Sequence, residues 1–266
     1  MIYLSDLLKS TDKYISAVDR LLSALTENGV QYKLIDNTKD IWLRDFMPVK
    51  TKSGKYISFR YEPSYLADAP QLRTDFKTDI APKFKVKTLV YSDIILDGGN
   101  VVFSQPKEKV IISDRVLSEN SSKCKAELKA ELEKLLEANV LIIPSLKNDM
   151  TGHADGMVRF VDENTAIVNA PLSPYGFEMK VKKTLQKYGI NVIDFPYFYS
   201  KGGSAVGCYL NFLETKEAIL LPVFGVDTDN EAINKAKSIF HKTIIPININ
   251  EIAEDGGLLN CIGWED

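Results

Sequence analysis

Six widely separated side chains are of types that could do chemistry together: Asp45, Asp97, His153, Asp155, Asn211 and Cys261. A free thiol, with a pKa near 8.5, is only partly ionised at neutral pH and needs a cationic neighbour to become a thiolate nucleophile. An imidazole titrates near neutrality, so one ring can give a proton in one step and take one in the next. Several carboxylates in one pocket repel each other and raise each other's proton affinity unless a cation lies between them. A planar guanidinium fits that role, because its N–H pairs match carboxylate oxygens two by two. Together these residues would hold a guanidinium while Cys261 attacks its carbon. His153 would then protonate the departing ammonia and later deprotonate the water that hydrolyses the covalent thiouronium.

Each residue has a plainer use. In "TGHADGMVRF" His153 and Asp155 are two apart, which on a strand puts both side chains on one face. A lone histidine is more often a structural hydrogen-bonding group, but this His-X-Asp context, in a chain with two histidines, favours chemistry. Asp45 in "IWLRDFMPV" could instead pair with Arg44, Asp97 in "LDGGN" could be a turn residue, and Asn211 in "YLNF" could serve backbone groups. Cys208 reads as a small packed residue and Cys124 as a structural or solvated residue in the first turn of a helix. His241 reads as a helix-end group.

The elements that must position these residues repeat. Apolar spacing predicts helices over 13–28, 69–84, 120–138, 177–188 and 230–241, with serines capping the third and Pro82 limiting the second. Between them lie hairpin signals, "MPVKTKSGKYISFR", "NVVFSQPKEKVIIS", "GMVRFVDENTAIVNA" and "YLNFLETKEAILLPVF", and a lone strand such as "VLIIPS" or "NVIDFP" follows each helix. Measured just before each hairpin, the steps are 52 residues from Asp45 to Asp97, 56 to His153, 58 to Asn211 and 50 to Cys261. One supersecondary unit every 50–58 residues is the signature of a propeller or similar array. In a closed ring equivalent positions converge on the axis, which would gather these side chains. The competing reading is five unrelated α/β segments with coincidental spacing.

The bulk numbers agree with a small-molecule enzyme. The 266 residues are 45% apolar with a net charge of −3, so nothing points to nucleic acid as the main partner. Three scattered cysteines exclude a disulfide framework or CxxC metal site, and two histidines argue against a zinc centre. The start, "MIYLSDLLKST", lacks the pattern of a secretory signal, and no apolar run is as long as a membrane span. The expectation is a reduced cytoplasmic protein with one catalytic domain over 1–266, no metal or organic cofactor, no membrane partner and a possible homo-oligomeric state.

The stretches "WLRDFMP" (42–48), "LDGGNVVF" (96–103), "GHADGMVRF" (152–160), "YLNFLETKEAILLPVFG" (209–225) and "EDGGLLNC" (254–261) resemble, in order, those of the agmatine deiminase and bacterial-type peptidylarginine deiminase family. That family belongs to the guanidino-modifying pentein superfamily, so the resemblance implies a five-bladed α/β propeller. It also implies that Asp45 and Asp155 hold the guanidinium, His153 is the general acid/base and Cys261 the nucleophile. Asp97, Asn211, Trp42 and Arg159 form the expected substrate-binding set. The chain departs from the family at Met47, usually Gly, and Asn260, usually His, and shows no evident opening strand. The implied reaction is deimination, with agmatine the first substrate and arginine or peptidyl-arginine next. An amidinotransferase and a non-catalytic binding propeller are the other uses of such a fold.

Overall fold

A computed structural model describes all residues except 85, 148, 201 and 202. Two compact units are present, one comprising Met1–Arg44 with Asp194–Asp266 and the other Asp45–Ile193. The described strands, in chain order, are β1 (Ile2–Ser5), β2 (Tyr32–Ile35), β3 (Val49–Lys50), β4 (Tyr56–Arg60), β5 (Leu89–Ile95), β6 (Val102–Phe103), β7 (Lys109–Ser113) and β8 (Asn139–Ile143). They continue as β9 (Val158–Phe160), β10 (Thr165–Asn169), β11 (Asn191–Phe195), β12 (Leu213–Glu214), β13 (Ala218–Val223), β14 (Thr243–Asn248) and β15 (Gly263–Glu265). They form five three-stranded sheets, β15-β1-β2, β3-β4-β5, β6-β7-β8, β9-β10-β11 and β12-β13-β14. A short strand runs antiparallel to the central one in every sheet, for instance β3 against β4 and β6 against β7. In the sheets built on β1, β4, β7 and β13 the third strand lies parallel to the centre. A parallel partner needs a crossover, and the intervening segments supply it. The architecture is that of a five-bladed α/β propeller.

The second unit shows why its strands are apolar on both faces. Along β7, Val110 and Ile112 face one cluster with Leu128, Leu132 and Leu136 of the helix Lys125–Leu136. Ile111 faces the opposite cluster with Val181 and Leu185 of the helix Phe177–Lys187. Alternation along the strand sends successive residues to opposite sides, so a sheet covered by a helix on each side must be apolar throughout. Without that burial a two-residue strand such as β6 would not persist.

In the first unit the helix Ile15–Glu27 buries Ala17, Val18, Leu21, Leu22 and Leu25 and packs against β14 and the turn Asn250–Ala253. The opening segment, in which no strand was evident from sequence, is β1, the central strand between β15 and β2. Its side chains read "IYLS", too short a run to signal a strand until β15 and β2 hold both edges.

Four predicted helices are present as Ile15–Glu27, Lys125–Leu136, Phe177–Lys187 and Thr228–Ile239. Residues 69–84 are instead a short turn Pro70–Leu72 followed by a single wide turn Phe76–Ile80. Arg73 and Asp75 are extended between them, and the Asp75 carboxylate accepts from the Lys77 N–H, a local bond that competes with helix propagation. The third helix starts later than its serines suggest. Cys124 is its N-cap, its sulfur accepting from the Glu127 N–H at 3.5 Å. Asn120 is occupied elsewhere, its side chain bonding both Ile95 N–H and Ile95 C=O.

Candidate active site

The five periodic residues occupy matching places, each just ahead of the short strand that runs antiparallel to the centre of its sheet. Asp45 lies in the one-turn helix Leu43–Phe46. Asp97 and His153 precede the 3-10 turns Gly98–Asn100 and Ala154–Gly156. Asn211 stands two residues before β12, and Cys261 lies in the one-turn helix Leu259–Ile262 before β15. His153 and Asp155 are therefore not on a strand, as their spacing suggested. His153 is the extended residue entering a turn closed by Met157 N–H on Ala154 C=O, and Asp155 lies within that turn. A glycine at 156 and the buried Ala154 let the chain turn before β9 begins at Val158.

In the second unit four chemical groups meet. His153 Nε2 lies 2.8 Å from Asp97 Oδ2, and His153 Nδ1 lies 3.5 Å from Asp45 Oδ1. Asp45, Asp97, His153 and Asp155 are all buried. Gly99 is the floor of the cluster. Its N–H donates to Asp45 Oδ1 at 3.0 Å, and a Cβ there would lie 2.7 Å from both Asp45 Oδ1 and His153 Nδ1 and 3.4 Å from Asp155 Oδ2. The "GG" after Asp97 thus has a use beyond turning: three catalytic-type side chains crowd the Cα of its second glycine. Asn100 braces the arrangement from below, its Oδ1 accepting from Ser113 N–H at 2.8 Å and Ala154 N–H at 3.2 Å.

Charge in this cluster is unbalanced, with three carboxylates around one imidazole. Burial pushes the Asp45 carboxyl well above the usual carboxylate range, Asp97 and Asp155 push it further, and His153 and the Gly99 N–H oppose them. Burial disfavours the charged form of His153. The Asp45 charge, the bond to Asp97 and the nearby Asp155 outweigh it, so the ring is held protonated well above its ordinary range. Both ring nitrogens face carboxylates, as an imidazolium with two donors requires. Such a cluster still lacks positive charge and would welcome a bound cation.

In the first unit Cys261 is partly exposed and Asn211 is buried. Asn211 Oδ1 accepts from the Cys261 N–H at 3.3 Å and from its Sγ at 3.2 Å, while Asn211 C=O accepts from the Asn260 N–H at 3.1 Å. Asn211 therefore fixes where the sulfur points. Trp42 packs against Gly257, where a Cβ would lie 2.2–2.8 Å from three atoms of its six-membered ring. Arg44 bonds Asn260 C=O at 3.2 Å and pairs with Glu265, tying the residue just before Cys261 to β15. Arg159 stands on β9 opposite Ile167, on the strand face away from the buried Val158 and Phe160. Among the described residues no group of three or more His, Cys, Asp and Glu side chains is arranged to hold a metal ion.

Sequence reasoning did not single out Tyr65, Gly99 or Asn100, and it offered Arg44 only as a pairing partner for Asp45, whereas Arg44 pairs with Glu265. A signal existed for Gly99 and Asn100, which follow Asp97 directly in "DGGN". None existed for Tyr65, whose hydroxyl donates to Asp97 Oδ2 at 2.9 Å across 32 residues of chain.

Five α/β blades, a His–carboxylate cluster and a separately oriented cysteine define the pentein class of propellers. Over residues 7–265 the sequence matches the model of the Porphyromonas-type peptidyl-arginine deiminase family. The chain belongs to that family. Two curated relatives, each named "Putative agmatine deiminase", are similar to it. The Enterococcus faecalis protein is 29% identical over 66 residues, covering 24% of this chain and 18% of the relative. The Lactococcus lactis protein is 23% identical over 209 residues, covering 64% of this chain and 56% of the relative. The chain thus spans at most 56% of the length of the curated relatives it matches. Among solved structures, the C. jejuni agmatine deiminase superposes with a TM-score of 0.77 at 20% identity, covering 99% of this chain and 92% of that one. That likeness extends the fold match over nearly the whole chain.

Proposed function

We propose that this protein hydrolyses a guanidino compound to a ureido product and ammonia, with residues 1–266 acting as one catalytic domain. Agmatine, giving N-carbamoylputrescine, is the first choice of substrate because the similar proteins carry that name. Free or peptidyl arginine presents the same reacting group. The observation that carries the reading is the cluster of three buried carboxylates around the single imidazole of His153, an acidic pocket that calls for a cation. A guanidinium supplies that cation and pairs with Asp45 and Asp155 through parallel N–H···O bonds. The family match supports the same reaction.

In this reading Cys261 Sγ, as thiolate, adds to the guanidinium carbon. The tetrahedral adduct receives a proton from the His153 imidazolium on one nitrogen, the C–N bond breaks and ammonia leaves, with the thiouronium remaining on sulfur. His153, now neutral, takes a proton from water as its oxygen adds to the same carbon. The C–S bond then breaks as the hydroxyl proton of the adduct passes to solvent, returning the thiolate and releasing the neutral ureido product. Asn211 aims the sulfur, and Asp97 holds the ring that moves the protons. Three free cysteines fit a reducing, cytoplasmic setting, which belongs to the same proposal.

Ammonia release should be assayed with agmatine, free arginine, arginyl peptides and methylguanidines, without added amine acceptor. Cys261→Ala is expected to abolish turnover of every substrate that wild type accepts and to leave Tm unchanged. An active Cys261→Ala enzyme would end the covalent mechanism, and a wild type that releases ammonia from none of these compounds would end the deiminase reading.

A further inference from the structure

We propose that Tyr65 is a positioning residue that, through its hydroxyl on Asp97, sets the orientation and proton affinity of His153. The inference rests on the deiminase reading for its consequence in turnover, but not for its geometry. Tyr65 OH donates to Asp97 Oδ2 at 2.9 Å, and the same oxygen takes His153 Nε2 at 2.8 Å. The Tyr65 ring also stands edge-on to the imidazole, with centroids 6.3 Å apart. One oxygen of Asp97 therefore serves two donors, while the other, Oδ1, is buried and has no hydrogen-bond partner among the described residues. A carboxylate held by one oxygen alone can rotate. Two donors converging on Oδ2 from different segments fix it, and with it the imidazole.

Tyr65 is itself held from outside the cluster. It lies in the turn Ser64–Leu66, where Glu119 accepts from the Ser64 N–H at 3.1 Å and from the Ser64 hydroxyl at 2.7 Å. Arg115 donates to the same carboxylate at 2.8 Å and to the Ser64 hydroxyl at 2.9 Å. A clamp on the helix Arg115–Glu119 thus fixes a turn that sends a hydroxyl inward to Asp97, with Tyr61 beside it. Burial first, then Asp97, Asp45 and Tyr61, hold the Tyr65 phenol far above its ordinary range, so it remains a donor at any working pH. The groups facing His153 are Asp45 from Leu43–Phe46, Asp97 ahead of Gly98–Asn100, Asp155 from its own turn and Tyr65.

Tyr65→Phe keeps the ring and its packing and deletes the hydroxyl, with its bond to Asp97 and its contact with Tyr61. Because the chain has two histidines, ring-labelled protein gives two imidazole signals by NMR, assigned with His241→Gln. In Tyr65→Phe, Asp97 has one donor fewer and binds the imidazolium more strongly. The His153 titration is expected to move up by roughly half a pH unit or more. The pH profile of kcat for ammonia release should move in the same direction, with kcat roughly ten-fold lower and KM little changed. Glu119→Ala, which loosens the turn while keeping Tyr65, should give a smaller shift of the same sign. An unchanged His153 titration in both variants, at unchanged Tm, overturns the proposal and marks Tyr65 as packing alone. If wild type releases no ammonia, the deiminase reading falls while the NMR titration still decides the role of Tyr65.

Discussion

Replacing Gly99 by alanine is the sharpest perturbation this site offers. The added methyl would sit 2.7 Å from Asp45 Oδ1 and from His153 Nδ1, against ordinary contacts that begin near 3.4 Å. Each atom must therefore retreat by about 0.7 Å, or the turn Gly98–Asn100 must lift by that much. No left-handed backbone is required at this residue, so crowding is the whole effect. Retreat stretches the Gly99 N–H bond to Asp45, now 3.0 Å, and parts Asp45 from the imidazole. Overpacking of a rigid interior costs about 1–3 kcal/mol. In a chain of this size each kcal/mol lowers Tm by roughly 2–4 °C, so a fall of about 2–12 °C is expected. Misplacing reacting groups by nearly 1 Å lowers kcat/KM by roughly 100-fold. Scanning calorimetry and ammonia release read the two effects separately. A Gly99→Ala protein with Tm unchanged and kcat/KM within two-fold of wild type would show that the cluster is loose and that its crowding carries no consequence.

Three further outcomes follow from other parts of the molecule. Asn211→Ala removes the acceptor that aims Cys261, so alkylation of Cys261 by haloacetamidine, followed by mass spectrometry, should slow roughly ten-fold; equal rates would deny Asn211 that role. Asp229 is a buried carboxylate taking N–H bonds from Phe224, Gly225 and Val226 and the Tyr209 hydroxyl, so Asp229→Ala should lower stability by about 2–4 kcal/mol in urea unfolding. A loss within experimental scatter would mean that water replaces all four bonds. Glu137 bonds Lys55 Nζ at 2.6 Å and Ser53 N–H at 3.2 Å, chiefly the former holding its carboxyl down at about 2. Its folded pKa lies below the unfolded value, so its contribution is complete above about pH 4.5 and fades as pH falls toward 2. Glu137→Gln should flatten that acid limb of the stability curve modestly, since Lys55 is half exposed; an identical limb in both proteins refutes the pair.

Residue types and their spacing carried a large part of this reading. The period of 50–58 residues located five equivalent positions, and the structure puts all five just ahead of the short antiparallel strand of a sheet. Hairpins were legible because alternating apolar runs meet polar turns, and four helices because their apolar faces repeat at helical spacing. The failures were local. The 69–84 pattern had helical spacing, but backbone bonding to Asp75 and the conformation at Arg73 broke it into turns. His153 and Asp155 looked like strand residues because a 3-10 turn of three residues has no period of its own to detect.

From the sequence alone came the inventory of thiol, imidazole, amide and carboxylates, and their recurrence at one place in a repeating unit. That information is one-dimensional, so it can assign a residue to a position but not a proton to an oxygen. Only the tertiary structure decided that Asp97 Oδ2 is shared by His153 and Tyr65, that Gly99 must lack a side chain, and that Asn211 rather than any sequence neighbour orients Cys261. Those contacts join segments tens of residues apart, and their energies depend on distances of a few tenths of an ångström and on burial, neither of which residue order contains.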